Sequence, residues 1–205
     1  MFKHSAFAPA VLAAVLAPSL SGCAFVAATG IIAGASVAHQ ERTVGNAIDD
    51  ARISTGIKAG LVNQSASNFF NVSTTVVEGR VLLTGRVSEP ETRLGATRVA
   101  WSIDGVKKVD NEIEVTDDAG WADRPRDIYI RTEIAADIFA DKAVKDVNYT
   151  IDVVNGVVYL VGVGQDKAEV DRVIAHAERF EGVKRVENYV VLKDDPARYF
   201  GVPAS

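Results

Sequence analysis

The chain has one cysteine and three histidines in 205 residues. A lone thiol cannot close an internal disulfide, and His4 and His39 fall outside every stretch that reads as folded, so disulfide scaffolds and multi-histidine metal sites are excluded. No apolar run reaches the ~20 residues that a membrane-spanning helix needs. Positive charge is short as well: 22 Lys and Arg stand against 27 Asp and Glu, a formal net charge of −5. That sign repels polyphosphate and disfavours nucleic acid as a partner. Glycine-rich phosphate loops, metal-ligand spacings and triad signatures are missing too. The carboxylate pairs Asp49-Asp50, Asp117-Asp118 and Asp194-Asp195 are only neighbours in sequence, which need not face one cleft, so they read as caps and turns. His176 stands alone and reads as a satisfied surface residue. We therefore expect no enzyme, no metal and no cofactor. What is present, 48 % hydrophobic and 24 % charged residues, is the composition of a folded protein.

Residues 1–22 have the parts of an export leader. Lys3 and His4 precede an apolar run from Ala6 to Ala17, and Pro18 stops it. Leu20-Ser21-Gly22-Cys23 then resembles the lipobox of bacterial lipoproteins. The resemblance implies cleavage before Cys23 and acylation of its thiol, an anchor worth about 0.8 kcal/mol per buried methylene. Ala24 stands where an aspartate would resemble an inner-membrane retention signal, which implies an outer-membrane, periplasm-facing location. Removing the leader takes Lys3 away and leaves a net charge of −6, 27 acidic against 21 basic residues. Residues 23–48 read as a lipidated tether; Gly30 and Gly34 have the spacing of a helix-packing motif, but the small, apolar stretch from Ala24 to Ala38 is too short to span a bilayer.

Downstream, the chain repeats itself at a constant offset of 77. Residues 50–115 align with 127–192 without a gap, and 19 of 66 positions are identical. The matches include Asp50 with Asp127, Ile53 with Ile130, Ile57 with Ile134, Gly79 with Gly156 and Gly85 with Gly162. Each copy predicts the same elements. Ile53, Ile57 and Leu61, and again Ile130, Ile134 and Ile138, stack every fourth residue on one helix face. Alternating Val72, Thr74 and Val76 lead to Glu78-Gly79, as Tyr149, Ile151 and Val153 lead to Asn155-Gly156, and such turns join antiparallel strands. Returning strands over 81–87 and 157–163 are expected to end near Gly85 and Gly162. Second helices open at Ser88-Glu89-Pro90-Glu91, a capping-box pattern, and at Asp166 to Glu169. Gly105 and Gly182 stop them before third strands. Each unit is αββαβ, and at about 66 residues its core is thin enough that the two should lean on each other.

These units resemble the BON domain, a small αββαβ module of bacterial envelope proteins. The order from lipobox through Arg42-Thr43-Val44-Gly45 and Asp49-Asp50 to two such units is similar to the dual-BON outer-membrane lipoproteins. The resemblance implies an α+β protein with two tandem BON domains, each a three-stranded mixed sheet packed against two helices. The expected boundaries are domain 1 at 49–116, a linker at 117–126, domain 2 at 127–193 and a flexible tail at 194–205. It also implies a second domain that recognises anionic phospholipid, and a role in envelope integrity. In that group a tryptophan precedes an Ile-Thr-Thr-Lys run at the contact; here Tyr129 takes the tryptophan's place and Glu133 the lysine's. The expected lipid-contacting residues are Trp121, Arg124, Arg126, Tyr129 and Arg131. The alternative partner is a protein: an adaptor that docks on an outer-membrane assembly factor.

Overall fold

The computed structural model of the chain describes residues 41, 43–117 and 123–198. The leader, Cys23, the Gly30/Gly34 pair and Trp121 lie outside the described residues. Helix α1, Val44–Ser65, begins where the Thr43 hydroxyl accepts a hydrogen bond from the Asn46 N–H at 3.1 Å. It therefore starts inside the stretch read as tether, because a cap rather than the apolar repeat from Ile53 onward sets its beginning. Strands β1, Val72–Val77, and β2, Arg80–Val87, follow, then α2, Pro90–Trp101, and β3, Lys108–Val115. The second unit repeats this with α3, Arg124–Ala140; β4, Tyr149–Val154; β5, Val157–Gly164; α4, Lys167–Glu178; and β6, Arg185–Leu192. Helix α3 likewise begins within the assigned linker, with Pro125 in its first turn.

Each unit holds a three-stranded mixed sheet. The orders are β1-β2-β3 and β4-β5-β6, the first pair antiparallel and the second parallel. Positive φ at both turn residues, 55° and 76° at Glu78-Gly79 and 51° and 74° at Asn155-Gly156, makes the tight hairpins expected. Both turns are held from below. Asp50 accepts from the Glu78 and Gly79 N–H groups at 2.8 and 2.9 Å, and Asp127 does the same for Asn155 and Gly156 at 2.8 and 2.9 Å. The repeated aspartate is thus a turn anchor. Gly85 and Gly162 do not end their strands, which run on to Val87 and Gly164. A Cβ on Gly85 would lie 2.0 Å from the Asn71 carbonyl oxygen, and on Gly162 2.1 Å from that of Asn148, so these glycines admit the start of the neighbouring strand.

The capping box at Ser88 does not form: Glu89 is the N-cap residue of α2 and makes no side-chain cap bond. In α4, Asp166 does cap, accepting from the Glu169 N–H at 2.9 Å. The buried Glu169 carboxylate turns elsewhere, to the N–H groups of Lys145 and Gln165 and to the Tyr149 hydroxyl. Burial and that carboxylate hold the Tyr149 phenol well above its usual range.

Side chains alternate across a strand, so each sheet has two faces to cover. Val76, Val81 and Leu83 point toward Ile53, Ile57 and Leu61 of α1, and Val153, Val158 and Leu160 toward Ile130, Ile134 and Ile138 of α3. The opposite faces pack on each other: Val77 and Leu82 of the first sheet join Val157, Tyr159, Val161 and Val163 in a third core. Every residue of β5 is buried as a result. Arg80 donates across this interface to the carbonyls of Tyr189 at 3.5 Å and Gly162 at 3.4 Å, and Thr84 donates to Asp152. Tyr159 lies in the same layer, where burial, then Glu112, pushes its phenol up to about 12.

The segment read as a flexible tail departs from that expectation. Pro196–Arg198 forms a short 3-10 turn, and Arg198 makes a two-pronged pair with Glu78, at 2.9 and 2.6 Å. The paired side chains are only 6 % and 4 % exposed, and the same guanidinium donates to the carbonyls of Lys193 and Glu41. A long-range ion pair, rather than apolar periodicity, holds this segment.

Candidate membrane-facing site

The core face of α3 uses Asp127, Ile130, Ile134 and Ile138, which leaves its outer face to solvent. Ile128, Thr132, Ala135 and Phe139 recur at intervals of three and four and stack along that outer face, with Tyr129 and Ala136 one residue round the helix. Ile128 is 49 %, Tyr129 63 % and Phe139 74 % exposed. The Thr132 hydroxyl donates back to the Ile128 carbonyl at 2.8 Å, which leaves its methyl group as the outward part. An uncharged stripe therefore runs from Ile128 to Phe139, where a solvated surface helix would carry charge.

Of the five residues expected to touch lipid, the described ones lie around this stripe in distinct ways. Tyr129 stands on it. Arg131 flanks it and lines two cavities, one between the two units and one beside β4. Arg124 is turned toward the first unit, its guanidinium 6.0 Å from the centre of the Phe70 ring and within 3.4 Å of the Asn71 side-chain oxygen. Arg126 lies over Gly182, on the opposite flank. Sequence reading missed Ile128 and Phe139 as outward residues. The signal was available, since 128 and 139 are eleven apart and so fall on one helix face.

The cavity between the units has a volume of 330 Å³ and is walled by α1 and β1 on one side, and by the start of α3 and β4 on the other. Its lining holds four cations, Lys58, Arg86, Arg124 and Arg131, and three carboxylates, Asp123, Asp127 and Asp152. The carboxylates are occupied: Asp127 by its turn, Asp152 by Thr84 and the Val153 N–H, Asp123 by Arg86.

His176 is not the surface residue that the sequence suggested. It sits in the seam between α3 and α4, its side chain 12 % exposed, with Nδ1 against Asp137 and Nε2 at 2.8 Å from Asp141. Arg179 and Arg172 complete the cluster. Partial burial raises the Asp137 carboxyl, but His176 and Arg179 outweigh it and hold it below the usual carboxylate range. The His176 hydrogen bond does the same for Asp141. Among the described residues, no group of three or more His, Cys, Asp and Glu is placed to hold a metal ion.

The family model of the BON domain matches residues 49–117 and again 127–194. This chain belongs to the BON-domain family. It is 43 % identical over 152 residues to an uncharacterized protein of Anaplasma centrale, encoded in the gshII 5' region, covering 74 % of this chain and 99 % of that one. It is 30 % identical over 169 residues to the outer membrane lipoprotein DolP of Haemophilus influenzae, covering 82 % of this chain and 86 % of that one. At the same 30 % it resembles the osmotically-inducible protein Y of Escherichia coli over 163 residues, 78 % of this chain and 81 % of that one. Both BON matches fall on the αββαβ units described above, and no described helix is long and apolar enough to cross a membrane.

Proposed function

We propose that this BON-domain chain is an outer-membrane lipoprotein, acylated on Cys23 and facing the periplasm, whose second BON unit rests the outer face of α3 on anionic phospholipid and so supports envelope integrity. The observation that carries this reading is the exposed stripe of Ile128, Tyr129 and Phe139 with arginines on its flanks. Tyrosine suits the headgroup level, with an apolar ring and a wet hydroxyl. Each arginine near an anionic surface adds about 1 kcal/mol of attraction, which salt screens. A chain tethered by acyl groups needs only weak contacts, because the anchor keeps the local concentration high. The similarity to a relative named as an outer membrane lipoprotein supports the location.

The test uses the chain from residue 24 onward, free of acyl groups, with anionic and zwitterionic vesicles. Tyr129→Ala combined with Phe139→Asp should weaken anionic-vesicle binding at least tenfold, and Arg131→Glu should reduce both the affinity and its salt dependence. Unchanged affinity in the stripe variant rejects this surface. Mass spectrometry of the mature full chain, showing a free thiol on an uncleaved leader, would reject the anchor.

A further inference from the structure

The cavity between the units has a charge balance at odds with the molecule around it. In a chain of net charge −5 its lining carries four cations against three carboxylates. All three carboxylates and two of the cations are held by partners within the protein: Arg86 by Asp123, and Arg124 by Asn71 and the Phe70 ring. Lys58 on α1 and Arg131 on α3 remain, one from each unit, and neither makes an ion pair or hydrogen bond among the described residues. Two unpaired cations at one cavity repel each other. An anion placed there would relieve that repulsion.

We propose that this cavity is a binding site for a phosphate group, clamped between Lys58 of the first BON unit and Arg131 of the second. The volume, 330 Å³, is at the small end of ligand pockets and admits a phosphate with a short polar substituent. Arg131 supplies the forked donors that phosphate oxygens match, and Lys58 a mobile point charge. Ile128 belongs both to the lining and to the outward stripe, so the cavity opens beside the face proposed to meet the bilayer. A phosphate carried by a lipid headgroup would enter from that side. This deepens the membrane reading and rests on it for the lipid source, whereas a free phosphate would fit the same donors without it. The first unit thereby gains a role: it supplies one wall and one charge of a site that neither unit holds alone.

The experiment uses the full acylated chain in maltoside micelles, which contain no phosphate. Glycerophosphoglycerol, a headgroup without acyl chains, and inorganic phosphate are titrated separately while backbone amides are followed by NMR. Saturable shifts at Lys58, Ser73 and Arg131 are expected. Lys58→Glu should weaken binding at least tenfold, Lys58→Gln by less, and Lys142→Glu, on an exposed loop away from the cavity, should leave it unchanged. Tighter binding of the glycerol diester identifies a headgroup, and equal or tighter binding of inorganic phosphate identifies free phosphate; either outcome supports the site. No saturable shift with either probe, or equal affinity in Lys58→Glu and the unaltered chain, overturns it. The two readings fail separately. Loss of vesicle binding in the Tyr129/Phe139 variant with no probe binding removes the cavity and keeps the membrane face. Probe binding with undiminished vesicle binding in that variant removes the face and keeps the cavity.

Discussion

The two BON units share a fold and differ where their helices meet. In the first, α1 and α2 pack on small residues: a Cβ on Gly60 would lie 2.6 Å from Val99 Cγ1, and one on Gly95 2.8 Å from Gln64 Nε2. At the positions 77 residues on, the second unit has Asp137 against His176 and Asp141 against Arg172. A close, glycine-packed seam and an ionic seam support the same αββαβ chain path. Their outward faces diverge as well. The face of α3 that shows Ile128, Tyr129, Ala135 and Phe139 corresponds on α1 to Ala51, Arg52, Lys58 and Val62. Where duplication leaves the buried isoleucines alone, it has made one outer face apolar and the other mixed, with Arg52 and Lys58 among its residues. The lesson is that the core fixes the fold while seams and outer faces are free to specialise.

The largest expected effect lies at the turns. In the first unit the Glu78 turn carries the buried Arg198 pair; in the second, the Asn155 side chain accepts from the exposed Lys184 ammonium at 2.6 Å. Burial alone raises the Glu78 carboxyl, and Arg198 more than reverses this, leaving it below its usual range. Arg198→Ala should cost about 3–5 kcal/mol, because it strands a buried carboxylate. Lys184→Ala should stay within roughly 0.5 kcal/mol. Urea denaturation of both variants measures the contrast, and equal losses would break it.

A smaller effect is expected in the seams. Gly60→Val should cost about 2 kcal/mol by forcing α1 from Val99, again by urea denaturation, since the packed seam cannot absorb the added methyl groups. Asp137, its counterpart, already occupies that space with a side chain. The smallest effect is a pH dependence confined to the second seam. Asp137 and Asp141 have lowered folded-state values, so their contribution is present above the unfolded carboxylate range near pH 4 and is lost as pH falls through the folded values. Amide exchange along α3 and α4 should accelerate in that window. Asp137→Asn with Asp141→Asn should remove this acid response, and an unchanged response would place its origin elsewhere.

Much of this molecule was legible in the sequence. The offset of 77 exposed the duplication, the fourfold isoleucine spacing gave α1 and α3 their core faces, and Asn155-Gly156 gave a hairpin. Those signals are local or periodic. The first helix of each unit begins ahead of the apolar period, at Val44 and Arg124, because a cap or an early proline sets its start. Arg198 was assigned to a loose tail because its partner lies 120 residues away. His176 looked isolated for the same reason: Asp137 and Asp141 reach it across a helix pair. The site was legible only in part. Tyr129 and Arg131 followed from the family resemblance, whereas Lys58 joins the cavity through the packing of one sheet on the other, which no spacing within a unit encodes.

The most direct measurement of the central claim is paramagnetic broadening from spin-labelled lipid in anionic nanodiscs that carry the full acylated chain. Amides of Ile128, Tyr129, Thr132 and Phe139 should broaden strongly, and those of Ala51, Arg52, Thr55 and Val62, at the same places on α1, should stay sharp. Equal broadening on the two helices, or broadening on α1 alone, would contradict a membrane face specific to the second unit.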